Sequence, residues 1–135
     1  MFITVYQQFE FTLMKVCLEL EKDYPNSQKL EDLKGKGVTR AYTYLKKVAG
    51  IGEPFEHKSW SRIKDLNKLR NTIVHSDAII GADEMKKLVA RIKQWAPVSH
   101  NKSRILLSEH FSSSTCSFLR EQVEQLGHKL HSAGW

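Results

Sequence analysis

The stretch Phe2–Leu20, FITVYQQFEFTLMKVCLEL, decides the fold class, because its apolar residues Phe2, Tyr6, Phe9, Leu13, Val16 and Leu20 alternate steps of four and three. That spacing lays one apolar stripe along an α-helix, whereas a half-buried strand would alternate every second residue. The helix should fray before Pro25. The residue ahead of a proline is pushed out of the α region, and Asp23-Tyr24-Pro25-Asn26-Ser27 is rich in turn formers.

The same period recurs along the chain. After a loop, Leu30 and Leu33 lead into Lys34-Gly35-Lys36-Gly37, which reads as a helix start; Val38, Ala41, Tyr42, Leu45 and Val48 then mark a second helix, stopped by Gly50, Gly52 and Pro54. A third helix carries Trp60, Ile63, Leu66, Leu69 and Ile73 on its buried side. A fourth runs from about Ala82 to Trp95, with Met85, Leu88, Val89 and Ile92 inward and Pro97 as its stop. Val98 to Ser103 reads as a connector, while Ile105-Leu106-Leu107 fits either an extended stretch or a helical turn. Cys116, Leu119, Val123, Leu126 and Leu130 mark a closing helix able to lie along the first, with Ser112-Ser113-Ser114 as its expected N-cap. The expectation is an all-α, compact bundle of about five helices forming one domain over residues 1–135.

With 135 residues and 41% hydrophobic content, the chain can bury one core and is short for two comfortable domains. No apolar run approaches the ~20 residues needed to cross a bilayer, and the N-terminus lacks signal-peptide features. The chain therefore reads as cytosolic, with no membrane partner. Cys17 and Cys116 each fall in an apolar stripe, and no Cys-x-x-Cys pair occurs, so both read as buried thiols outside any disulfide framework. A net charge of +6 leans toward polyanionic partners, although a small basic excess is common in proteins that touch none.

Chemistry concentrates at Leu69-Arg70-Asn71-Thr72-Ile73-Val74-His75. Arginine offers a permanent planar fork of donors matched to phosphate oxygens, and histidine accepts and returns protons near neutral pH. At about 100° per residue, Lys64, Lys68, Asn71 and His75 fall within a stripe of roughly 60°. Ile63, Leu66 and Ile73 occupy another sector, and Arg70 sits off the polar stripe but is long enough to reach around the helix. Two plain readings coexist with a site. Lysines on a helix face are most often solvated charge, and a histidine near a helix C-terminus is favoured by the helix dipole without any catalysis.

Arg70-Asn71-Thr72-Ile73-Val74-His75 resembles the signature of the HEPN superfamily, in which an arginine, commonly followed by asparagine, precedes a histidine by four to six residues. Leu33-Lys34-Gly35-Lys36-Gly37, the Tyr44-Leu45 pair before Val48-Ala49-Gly50, and the run from Trp60 through Ile63-Lys64-Asp65-Leu66 resemble segments of such domains too, so the likeness spans roughly Met1 to Trp95. The resemblance implies a helical bundle that dimerises, uniting two motifs in one cleft, and a metal-independent endoribonuclease acting as a toxin or antiviral effector. It makes Arg70 the holder of the scissile phosphate, His75 the general acid or base, and Asn71 the residue orienting the histidine or the phosphate. Lys64 and Lys68 become substrate contacts, with no cofactor and no metal required. RNA is then the substrate, a second copy the partner, and an antitoxin or defence-system protein a further one. One branch of the superfamily is silenced by a nucleotidyltransferase that modifies a tyrosine two residues past the histidine; here that position is Asp77, which speaks against that partnership.

Some superfamily members keep the fold as an idle module binding RNA, nucleotide or protein, so that alternative stands beside the enzyme, as does a plain structural bundle. The remaining constellations are weaker. His128 and His131 sit three apart without the further ligands a metal site needs. Lys34-Gly35-Lys36-Gly37 lacks the strand and glycine spacing of a P-loop. Tyr42, Tyr44 and Trp60 could stack on bases, but aromatics at helical spacing are more often core.

Overall fold

The computed structural model describes residues 2–51, 55–74, 82–101, 104–106 and 109–134. Among these lie five α-helices: α1 (Phe2–Glu21), α2 (Gly37–Thr43), α3 (His57–Val74), α4 (Ala82–Lys93) and α5 (Glu109–Ser132). A 3-10 turn spans Leu30–Asp32, and α2 continues as a π-helical turn over Tyr44–Val48. The chain is thus helical, as its spacing predicts, with one addition. Strands β1 (Ser99–Asn101) and β2 (Arg104–Leu106) pair antiparallel, His100 opposite Ile105, so the connector contains a strand and the extended alternative holds for residues 104–106. Gly52, Pro54, His75, Asp77, Ser103 and Leu107 lie outside the described residues.

The chain is organised in two compact units. The first comprises Met1–Tyr6 and His57–Leu119. Its core gathers Phe2, Tyr6, Ile63, Leu66, Leu69, Met85, Leu88, Val89, Ile92, Phe111 and Leu119, all buried. All four α4 positions expected inward are there; the helix itself stops at Lys93, and Trp95 falls in the turn that follows. Phe2 meets the edge of Phe111 at 5.5 Å between ring centroids, and the Tyr6 hydroxyl donates to Asn67 Oδ1 at 2.8 Å, so the first turns of α1 are tied to both α5 and α3.

The start of α5 differs from expectation. Ser112-Ser113-Ser114 lies inside the helix rather than capping it. Serine and threonine weaken helix interiors by competing for backbone hydrogen bonds, but Thr115 Oγ1 donates back to the Phe111 carbonyl at 3.0 Å within the helix, and the buried Phe111 and Phe118 supply the packing that holds the segment helical. Leu119 and Leu126 of the expected closing stripe are buried, whereas Cys116, Val123 and Leu130 are only half-buried, and Phe111, Thr115, Phe118 and Gln122 are buried as well.

The second unit comprises Gln7–Glu56 and Arg120–Trp135. Phe9, Leu13, Cys17 and Leu20 of α1 are buried in the same unit as Val38, Ala41, Tyr42, Leu45 and Phe55, with Tyr42 and Phe55 stacked at 6.3 Å and 15°. The Cys17 thiol donates to the Ala41 carbonyl at 3.6 Å, and Glu21 accepts the backbone N–H of Leu30, fixing the loop after α1. Two glycines are required by geometry. Gly50 takes φ +65° and ends the α2 segment, and Gly37 takes φ +52° with the Glu10 carboxyl where a Cβ would stand.

Candidate phosphate-binding site at the end of α3

Lysine, arginine and leucine are good helix formers, and in α3 they place Ile63, Leu66 and Leu69 in the core while leaving Lys64 and Lys68 exposed. Arg70 and Asn71 are half-buried. The Arg70 Nη1 donates to Asn71 Oδ1 at 2.9 Å, and Arg70 Nε is buried without a hydrogen-bond partner among the described residues. Adjacent positions on a helix point about 100° apart, so only the length of the arginine allows this bond. It curls the guanidinium toward the polar stripe. Asn71, expected to orient the histidine or the phosphate, is here bonded to the arginine.

Lys68 Nζ stands 4.0 Å from Glu84 Oε2 of α4, a long pair between exposed side chains that counts for little. Thr72 Oγ1 donates to the Lys68 carbonyl at 2.8 Å. Nearby on α3, Asp65 Oδ1 accepts from Arg91 Nε at 3.0 Å, joining α4 to α3. One expectation for α3 is corrected: Ile73 is 38% exposed and Val74 44%, and Trp60 is only half-buried. The apolar stripe continues in sequence about one turn beyond the packing that covers it, leaving two exposed aliphatic residues at the end of the helix.

Structure therefore brings Arg70 and Asn71 together, with Lys64 and Lys68 along the same helix. His75 lies outside the described residues. His128 and His131 are exposed on α5, and among the described residues no group of three His, Cys, Asp or Glu side chains is placed to share a metal ion. Tyr42 and Tyr44 are buried, so neither offers a face for stacking. Burial pushes the Cys17 thiol up to about 12, with Glu21 adding to the rise, which makes it an inert core group.

Sequence reasoning missed one cluster in the first unit. Arg62 lies over the rings of both Trp95 and Phe118, at 5.2 and 5.8 Å, and so joins α3 to the turn after α4 and to α5. No spacing signal links three residues so far apart in the chain. Comparison with known proteins finds no matching family model, no matching curated protein and no matching solved structure. No helix among the described residues is long and apolar enough to cross a membrane.

Proposed function

We propose that the chain is a metal-independent endoribonuclease of HEPN type, a toxin or defence effector that cleaves RNA where two copies bring their Arg70 and His75 together. The observation that carries the reading is the half-buried Arg70 guanidinium, turned by Asn71 toward an exposed polar helix face. A guanidinium so held presents its remaining donors to a phosphate without first having to be ordered. Exposed Lys64 and Lys68 along the same helix suit the approach of an RNA backbone, and the bare Ile73 and Val74 suit a contact between copies.

The chemistry follows from the residue types. His75 removes the proton of a ribose 2′-hydroxyl, and the oxygen attacks the adjacent phosphorus. Arg70 stabilises the charge that builds on the phosphoryl oxygens. The bond to the 5′-oxygen breaks, a protonated imidazole returns a proton to that leaving group, and a 2′,3′-cyclic phosphate remains. One chain offers a single motif histidine, so a two-fold site supplies both the base and the acid.

The test is an RNA cleavage assay with mass spectrometry of the products. Cleavage should survive EDTA, stop at a single 2′-deoxyribose at the cut site, and leave cyclic phosphate ends. Products with a 5′-phosphate and a free 3′-hydroxyl, formed only with divalent metal, would exclude the mechanism. Absence of any cleavage by the purified protein would favour an idle binding module.

A further inference from the structure

The segment from Lys29 to Lys47 holds six cations, Lys29, Lys34, Lys36, Arg40, Lys46 and Lys47, against the two carboxylates Glu31 and Asp32. It therefore carries a net charge of +4. None of the six makes an ion pair among the described residues, whereas the pairs that do form involve Lys22, Lys68 and Arg91. Arg40, Thr43 and Lys47 follow one another by three and four residues along α2 and its π-helical continuation, and Lys36 stands in extended backbone immediately before the helix. The buried residues Val38, Ala41, Tyr42 and Leu45 occupy the other side.

Arg40 is built into this face. Its Nε donates to the carbonyl of Gly35 at 3.0 Å, and Gly35 reaches that position with φ +94°. The two terminal nitrogens are left without a partner among the described residues, so a fork of donors is held on a fixed stem. One carboxylate from another element, Glu10 of α1, lies against Gly37 at the start of the helix. Four helical residues rise about 6 Å, comparable to the separation of successive phosphates along an extended strand, and Arg40 to Lys47 cover about 10 Å.

We infer that this face of the second unit binds the phosphate backbone of a single-stranded RNA through residues other than Arg70 and His75, the choice of RNA resting on the proposed nuclease reading. The chemistry selects that partner. Stable seating of a helix in a membrane interface uses an apolar face beside the basic one, and the large apolar residues exposed among the described residues, Phe11, Leu18, Ile73 and Val74, all lie outside the segment. A protein interface needs an aromatic or aliphatic anchor, and Tyr42, Tyr44 and Leu45 are buried beneath the stripe. Backbone binding of nucleic acid requires neither, because released counterions supply the affinity.

The experiment measures fluorescence anisotropy of a labelled 20-nucleotide RNA against the full chain in the Arg70→Ala background with EDTA present. Cleavage then plays no part, so a failure here is distinct from a failure of the nuclease reading. Combining Lys36→Gln, Arg40→Gln and Lys47→Gln should weaken binding at least tenfold at low salt and lower the slope of log affinity against log salt by about 2. A control triple of Lys58→Gln, Lys86→Gln and Lys87→Gln, exposed positions of the first unit, should change affinity far less. Unchanged binding by the first triple, equal loss in the control, or competition by poly-glutamate or anionic vesicles as strong as by unlabelled RNA would each overturn the inference. If circular dichroism shows the triple unfolded, Lys36→Gln with Lys47→Gln takes its place, with an expected fall in slope of about 1.

Discussion

Two helix faces of this chain are rich in cations, and they are built differently. Along α3, Lys68 stands near Glu84, Arg91 holds Asp65, and Arg70 is turned by its neighbour Asn71; cations there are interleaved with acceptors. At α2, Lys36 just before the helix and Arg40 and Lys47 on it form no ion pair among the described residues, although the Glu10 carboxyl lies against Gly37, and the arginine is steadied by a backbone carbonyl. Interleaving fixes one arginine in a defined pose, which suits chemistry on one phosphate. An unbalanced stripe suits sequence-tolerant attraction spread over several phosphates. Charge count alone does not separate them, since Lys29–Lys47 and α3 each carry a net charge of +4, and only local geometry distinguishes the two proposed roles.

The comparison breaks most directly at the motif. Arg70→Ala and His75→Ala should each lower RNA cleavage at least about a hundredfold, the usual scale for losing a transition-state charge partner or an acid–base group. The α2 triple should act mainly on KM, with kcat nearly kept. A kcat loss in the α2 triple equal to that of Arg70→Ala would merge the two faces into one site. Asn71→Ala tests the middle ground. It leaves the charge of Arg70 but removes the bond that turns it, so kcat should fall about tenfold while helicity is kept. Activity equal to wild type would mean that the Arg70–Asn71 bond has no positioning role.

How the sequence announces these faces explains what could be read in advance. Helices α1, α3 and α4 are visible because their cores step by three and four without interruption, and the inward residues of α4 are those expected. The start of α5 is hidden by serines that look like a cap, since their poor helix propensity is overridden by Phe111 and Phe118. The π-helical turn over Tyr44–Val48 and the three-residue strands of the hairpin leave no periodic trace at all. Arg70 and Asn71 stand out by type and adjacency. Their bond to each other does not, because neighbouring helical residues normally diverge. Ile73 reads as core because periodicity reports which side a residue faces but not how far along the helix the cover extends.

The underside of α2 gives a smaller effect with a defined sign. Cys17 is fully buried against Ala41, and its thiol is raised from 9.0 to about 12 by burial, with Glu21 adding to the rise. The folded state thus holds this proton more tightly than the unfolded chain. Its contribution is fully present below about pH 9 and is lost as pH rises toward 12, by at most about 1.4 kcal/mol per pH unit. Tyr44, raised to about 12 chiefly by burial, adds a second loss that begins about one unit higher. Urea midpoints followed from pH 8 to 10 should fall for the wild type and fall less for Cys17→Ala, which keeps only the later tyrosine component. Parallel declines would mean that the thiol is not the group responsible.

The smallest effect belongs to the pair that most resembles a designed contact on α3. Lys68 and Glu84 are 4.0 Å apart with 45% and 63% of their side chains exposed, so water screens the attraction and both flexible chains must be ordered to make it. Glu84→Gln should therefore shift stability by less than about 0.5 kcal/mol, within the noise of most melts. Its consequence should appear elsewhere. Freed from a nearby carboxylate, Lys68 becomes as unbalanced as the lysines of α2, and if α3 carries an RNA backbone, KM for RNA should drop slightly at low salt while kcat stays fixed. A several-fold change in kcat, or a melt lowered by more than about 1 kcal/mol, would show the pair to be a structural clasp, and the contrast between a balanced α3 and an unbalanced α2 would no longer describe how the two faces work.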